Sequence, residues 1–536
     1  MEVQITGQQN VAQAVVEQLA AWQVKYVFGV CGDDILPFLD AIGANGSIKY
    51  ISAASEAGAA FMASYYARLS GRLGICTASA AGAVNLLEGV FDAYMDGVPV
   101  LAITGQVAGT RIGTPAKQYF QQGGLFQAFT GYSETVANKS TSVRLLIRAM
   151  SRALLKKTTA HLAFPADVWL KTIEWKPAPM PALIGKQPGG KHVYGDIDAA
   201  TGLMHGARRP LIIVGTKAGP IISEVRNLAD KWGAAVVLAQ EAKGLIPDDW
   251  HRVIGGVGEG WLPEQLGEAD CTIMIGTASF ENQFLPQAPV IQLEEETWQI
   301  NDLFLWDSLA GNMAHIIKIL VEGLAGYKYD PAWQEKIGTA RKARQELVSG
   351  DNHNDSVPIH PARLMSALSG AVAGDTIITL DVGAFMHWFD RSFLASGQQI
   401  LLSSFWRSMG GGLPAAIAAQ LLFPGRQVVT LVGDGGLLMS MGEFATAVGH
   451  KLPITVVAIR NHVYGLEKGK GEARGLSPAG LGVPSIEFSH FAQACGGKGF
   501  KVEKPGDLEA TLHQALGLAE PALVDVVCSA PRLPYV

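Results

Sequence analysis

Short runs of β-branched and other apolar residues recur along the chain, each followed by a longer stretch with helical spacing. "VKYVFGV" (24–30) and "VPVLAITG" (98–105) read as buried strands; "VAQAVVEQLAAW" (11–22) and "EAGAAFMASYYARLSG" (56–71) read as helices. "PLIIVG", "AAVVLA", "CTIMIG" and "APVIQL" repeat the strand pattern between residues 210 and 293. It returns after residue 374 in "DTIITLD", "RQVVTLVGDG", "LPITVVAIRN" and "PALVDVVC", interrupted by the helix-like "LPAAIAAQLLF" and "EFATAVGHK". Strands that are apolar throughout, instead of alternating, belong to parallel sheets covered on both faces. The pattern predicts an α/β protein of doubly wound parallel sheets. Two stretches break it: "EWKPAPMPALIGKQPGGK" (174–191), rich in Pro and Gly, and the polar, turn-forming "LVSGDNHNDSVPIHP" (347–361). Read as linkers, they divide the chain into domains at 1–175, 190–345 and 358–536.

Composition adds limits. A chain of 536 residues exceeds what one hydrophobic core supports. With 48% hydrophobic and 17% charged residues it is well buried and globular, and its formal charge of −6 offers no basic face for nucleic acid. The longest acidic run, "EEE" at 294–296, reads as a strand end or a solvated turn. No apolar run reaches the roughly 18 residues of a membrane span, and "MEVQITGQQN" lacks a signal-peptide pattern. The five cysteines are scattered without a C-x-x-C pair, which argues against thiolate metal sites and disulfides and makes the cytoplasm the default location.

One stretch invites chemistry. "LVGDGGLLMSMGEF" (431–444) sets Gly433, Asp434, Gly435 and Gly436 at the end of an apolar strand over 427–432, with the next helical pattern near Ser440. Ligands of doubly wound sheets bind at such strand ends. Glycines there let the backbone turn sharply and approach a ligand. A carboxylate facing a phosphate needs a cation such as Mg²⁺ between them. Alone, the motif fits a plain turn equally well. Asn461, ending the strand "PITVVAIRN", adds a second polar group at the same rim and favours the metal.

"GDGG", followed by "NHVYG", resembles the thiamine diphosphate motif of the acetolactate synthase and pyruvate oxidase superfamily. "SSFWRSMGGGLPAAIAAQLLFPGRQVVTLVGDGG", "EAGAAFMASYYARLSGRLGICTAS" and "NLLEGVFDAYMDGVPVLAITGQ" look like that family too, and "KQYFQQGGLFQAFTGYSETV" and "KLPITVVAIRNHVYG" resemble its pyruvate oxidases. The similarity covers nearly the whole chain. It implies a pyrimidine-binding first domain, a central domain and a diphosphate-binding third domain. It further implies that the Asp434 and Asn461 side chains and the Val463 carbonyl hold Mg²⁺, within a diphosphate motif that includes Gly433, Gly435, Gly436, Tyr464 and Gly465. Met409, otherwise readable as a core methionine, would support the bent cofactor, and the carbonyl near Arg407 would accept from its 4′-amino group. Glu56, otherwise a first-turn acid suited to the helix dipole, would bond N1′ of the aminopyrimidine. Phe120 and Gln121 would line the substrate pocket, with His387 and Glu467 near it.

Several positions depart from the family pattern. Ser55 replaces a His, Gln122 a Glu and Arg407 a Gly; Asp33, Asp34 and the "SAAGAVN" segment (79–85) are also unusual. Arg460 stands where an Asn is usual, leaving two readings, contact with the diphosphate or exposure to solvent. The implied activity is thiamine diphosphate- and Mg²⁺-dependent ylide attack on a 2-oxo acid, pyruvate first, with decarboxylation as in pyruvate oxidase. An acetolactate synthase-like carboligase or a non-oxidative decarboxylase is the alternative, and a catalytically silent, cofactor-binding regulatory homologue is the alternative of another class. FAD in the central domain is left open, because no G-x-G-x-x-G stands there in a strand-to-helix setting; "IIVGTKAG" and "GGVGEGW" are its glycine-bordered strand ends. The family places its cofactor between the first domain of one subunit and the third of another, which implies a homodimer or homotetramer.

Overall fold

The computed structural model describes residues 9–182, 193–257, 267–277, 287–300 and 307–533. Among them the apolar runs form three separate sheets, the α/β arrangement expected. The first sheet runs Lys49–Ser52, Tyr26–Gly29, Gly74–Ala78, Val100–Gln106, Thr159–Pro165, Ser133–Thr135, all parallel. The third runs Gln399–Leu401, Ile377–Leu380, Val428–Gly433, Ile454–Arg460, Ala522–Val527, Lys498–Val502, again all parallel. Numbered along the chain, both sheets have the strand order 2-1-3-4-6-5. The central sheet runs Val253–Val257, Ala235–Ala239, Pro210–Val214, Cys271–Ile275, Val290–Glu294, Asp307–Gly311, and only its edge strand Val193–Tyr194 is antiparallel.

The first and third domains share one hydrophobic core. Helix Glu56–Ser70 packs on helix Gly412–Leu422, which stands in the same topological place, after the second strand of its sheet. The "LPAAIAA" stretch is almost free of large side chains, so the helices approach closely and Phe61 and Tyr65 fill the groove over Gly411. The pairing fixes the two sheets relative to each other.

Helix Pro331–Asn352 runs into the stretch read as the second linker, leaving 353–360 as the connection. Asp351 explains the extension: it is buried and accepts from Arg391 Nε and Nη2, both at 2.9 Å, and from the Ser392 hydroxyl at 2.7 Å. The first linker is described only to residue 182. Among the described residues, no helix is long and apolar enough to cross a membrane.

Candidate active site

A cavity of about 420 Å³ opens at the carboxyl ends of strands Ile377–Leu380 and Val428–Gly433, where the strand order of the third sheet reverses. Gly433 to Gly436, Arg407, Met409, Asn461, Val463, Tyr464 and Gly465 all line it, as do His387 and Glu467. Parallel pairing sets Gly433 opposite Ile459 and so brings Asp434 and Asn461 to one rim. Asp434 is buried; one carboxylate oxygen accepts from the Asn461 N–H at 3.0 Å and the His462 N–H at 2.6 Å, the other from the Gly435 N–H at 2.9 Å. His462 reaches this position with φ +59°, left-handed backbone that non-glycine residues seldom adopt. The Asn461 side-chain oxygen turns back to accept from the Val463 N–H at 3.2 Å.

The glycines act otherwise than expected. The helix starts at Asp434 itself and ends at Ser440, so Gly435 and Gly436 are helical and make no turn. A Cβ on Gly435 would lie 2.4 Å from the Tyr464 ring, and one on Gly436 would lie 2.7 Å from an Asp381 oxygen. Both are required by side chains arriving from other strand ends.

Asp381, which ends the "DTIITLD" run, is a residue the sequence reading missed. It is buried and accepts from the Val382 N–H at 2.7 Å and, through both oxygens, from the Gly410 N–H at 2.9 and 3.0 Å. It thus ties down the segment that presents Met409. Burial pushes its pKa up to about 7, against the pull of these donors. An acid closing a buried strand at a Gly-rich junction was the available signal.

Arg407 has φ +53°, left-handed backbone that non-glycine residues seldom adopt. Its side chain leaves the third domain: Nη1 donates to the Gln240 side-chain oxygen at 2.9 Å, and Gln240 donates to Asp390 at 2.6 Å. The central domain therefore supplies one wall of the cavity through Gln240, which no sequence motif marked. Desolvation raises the Asp390 pKa to about 7, opposed by Lys243 and Arg407.

Neither sequence reading of Arg460 matches the structure. Arg460 is buried, donating from Nε to Asp525 at 2.9 Å and pairing through Nη1 with Glu487 at 3.2 Å. It does not line the cavity around Asp434 and instead satisfies a buried acid on the neighbouring strand Ala522–Val527.

The first-domain candidates occupy the matching rim of their own sheet. Glu56 opens helix Glu56–Ser70, is half-buried, and accepts from Asn85 Nδ2 at 3.1 Å. Gln121 is exposed, while the Phe120 carbonyl accepts from Gln106 Nε2 at 3.0 Å. None of the three lines the cavity around Asp434. Gln122 is buried among Thr104, the Gly105 carbonyl and, through Thr104, His161. Asp34 accepts from the Ala80 N–H at 2.8 Å, so two unusual segments are mutual partners.

In the central domain, residues 258–261 of "GGVGEGW" lie outside the described residues. At the other strand end, a Cβ on Gly215 would lie 2.1 Å from the Gly276 carbonyl, so this glycine is required by the neighbouring strand. Lys217 pairs with the buried Glu294 at 3.5 Å, which makes the first acid of "EEE" a desolvated strand end.

Comparison with known proteins agrees with the three-domain division. The N-terminal thiamine pyrophosphate-binding domain of the thiamine pyrophosphate enzymes matches residues 9–128, the central domain 197–318 and the C-terminal thiamine pyrophosphate-binding domain 381–526. The chain belongs to the thiamine pyrophosphate enzyme family. It is 32% identical to YdaP of Bacillus subtilis (strain 168), named as a thiamine pyrophosphate-containing protein, over 97% of this chain and 92% of that one. It is 27% identical to the pyruvate oxidase of Lactiplantibacillus plantarum, over 99% and 91% of the two chains. It is 28% identical to the large subunit of acetolactate synthase isozyme 1 of Escherichia coli (strain K12), over 98% and 95%.

Proposed function

We propose that this protein is a thiamine diphosphate- and Mg²⁺-dependent enzyme that decarboxylates a 2-oxo acid, pyruvate first, in the manner of a pyruvate oxidase. The observation that carries the reading is the convergence of Asp434 and Asn461 on one rim of one cavity. The group fits the residues present. The Asp434 carboxylate, the Asn461 amide oxygen and the Val463 carbonyl are hard oxygen donors suited to Mg²⁺. Three N–H donors already orient Asp434 and leave lone-pair capacity for a cation. Asp434, Asn461 and Val463 would hold the metal, and through it the diphosphate. Met409 and the Arg407 carbonyl would face the rest of the cofactor, with Asp381 and Gln240 fixing that segment.

When bound, thiamine diphosphate supplies the carbon nucleophile and the electron sink that decarboxylation requires. The chain's part is to place it and to manage one proton. Glu56 would hold that proton at N1′ of the aminopyrimidine. Because Glu56 does not line the Asp434 cavity of its own chain, we assign it to the cavity of a second copy, making a homodimer the least active unit and a homotetramer compatible with it. The silent-homologue reading loses part of its motivation, since Arg460 and Ser55 both have packing roles.

The test is incubation of the purified protein with thiamine diphosphate, Mg²⁺ and a panel of 2-oxo acids, following carbon dioxide release and product. Turnover of pyruvate supports the reading. Consumption of none of the acids by cofactor-loaded protein overturns it in favour of the silent homologue. A visible flavin spectrum with acetyl products marks an oxidase; colourless protein that makes acetolactate marks a carboligase.

A further inference from the structure

Glu443, in the third domain, opens helix Glu443–Gly449 and does not line the cavity. It is 1% exposed, yet among the described residues its carboxylate meets no cation. One oxygen accepts from the Ala54 N–H at 3.1 Å and the Thr446 hydroxyl at 2.9 Å. The other accepts from the N–H and the hydroxyl of Ser55, both at 3.0 Å. Ser55 in turn caps helix Glu56–Ser70, its hydroxyl oxygen accepting from the Gly58 N–H at 3.0 Å. A Cβ on Gly58 would lie 2.0 Å from Glu443 Oε1, so a glycine is required for the carboxylate to sit there. Three of its four hydrogen bonds thus go to the two residues immediately before Glu56.

We propose that Glu443 is a positioning residue for Glu56: from the third domain it clamps the peptide on which the Glu56 carboxylate is mounted. The proposal rests on the role assigned to Glu56 above. A half-buried side chain with one amide partner is aimed chiefly by its backbone, and proton transfer tolerates little misplacement. A desolvated carboxylate held by N–H dipoles at a helix start is a stiff mount, since moving it leaves a buried charge unsatisfied. Ser55, where the family pattern has His, becomes the link: its hydroxyl donates to Glu443 and accepts from the helix.

The test uses Glu443→Gln and Ser55→Ala in the full-length protein. In the cofactor-free protein, backbone amide hydrogen exchange over residues 53–60 should quicken in both. In protein loaded with thiamine diphosphate and Mg²⁺, exchange of the cofactor's C2 proton for deuterium should slow by about 10²-fold in Glu443→Gln, and less in Ser55→Ala, with cofactor affinity little changed. Unchanged C2 exchange overturns the proposal, even if stability drops, and so does an equal loss of cofactor affinity, which would mean simple collapse of the domain contact. If Glu443→Gln does not fold, Ser55→Ala decides alone on the same readings. Glu56→Gln runs in parallel: if it keeps wild-type C2 exchange, the role of Glu56 is wrong; if it loses exchange while Glu443→Gln keeps it, only the role of Glu443 is.

Discussion

The first and third domains are built on one topology and use it differently. Both sheets have the order 2-1-3-4-6-5, and both place their candidate chemistry at the carboxyl rim. In the third domain the acid follows the third strand, is buried, and lines a cavity with three N–H donors around its carboxylate. In the first, the acid follows the second strand, is half-buried, and borders no such cavity. The third-domain rim surrounds a cavity within one chain; Glu56 of the first-domain rim does not line that cavity. A shared fold therefore says where to look and not what is there. What differs is the segment after each strand: a helix that starts at once at Asp434, against a loop and a Ser55 cap ahead of Glu56.

The sharpest way to break this contrast is to remove each acid in turn. Glu56→Gln should lower turnover by roughly 10³-fold, within the range of a lost general acid–base group, while cofactor binding measured by calorimetry stays near wild type. Asp434→Ala should lose activity at cofactor concentrations that saturate the wild type, for the opposite reason, because it holds the cofactor weakly. Mixed after partial unfolding and refolding, the two impaired variants should regain activity if one subunit's Glu56 serves another's cavity; no recovery would place both acids in a single-chain site.

Binding should separate the rims next. Asp434→Ala should weaken Mg²⁺-dependent thiamine diphosphate binding by about 10–100-fold, as loss of metal-supporting groups commonly does. Dialysis against a chelator should release the cofactor, and Mg²⁺ should restore it. Gly435→Ala should act more mildly: its methyl must displace the Tyr464 ring, costing about 1–3 kcal/mol of stability and shifting the thermal midpoint down. A neutral result would mean that the Tyr464 ring moves freely.

The smallest effect is a difference in pH response. His161, in the first domain, is fully buried between Thr104 and Ser133, and burial lowers its pKa to about 3 from 6.5. The unfolded chain takes up a proton below about pH 6.5 that the folded chain refuses. Stability is full above that value and falls as pH drops toward 3, by at most ~1.4 kcal/mol per pH unit. Asp381, in the third domain, works in reverse. Its folded pKa of about 7 stands above the unfolded 3.8, so the folded chain keeps a proton that the unfolded chain releases. Its contribution falls as pH rises from about 4 to 7. Urea midpoints of the cofactor-free protein should show the acid limb flattened in His161→Asn and the neutral limb flattened in Asp381→Asn.

Much of this arrangement was legible in one dimension. Apolar runs without alternation gave parallel sheets, because a strand covered on both faces has no polar side to display. Helix Glu56–Ser70 fell within a residue of its expected span, Ser55 and Gly71 serving as cap and stop. The rim of Asp434 and Asn461 was likewise readable, since both end strands. Other features were decided only by segments distant in sequence. Gly435 and Gly436 answer to Tyr464 and Asp381, and Arg460 answers to Asp525. Arg407 is steadied by a central-domain glutamine, and the peptide before Glu56 by Glu443. Periodicity and strand-end residues are local properties that a sequence carries on its face. Which side chain fills the space of a missing Cβ, or satisfies a buried charge, depends on packing between strands far apart in the chain, and only the folded molecule fixes that.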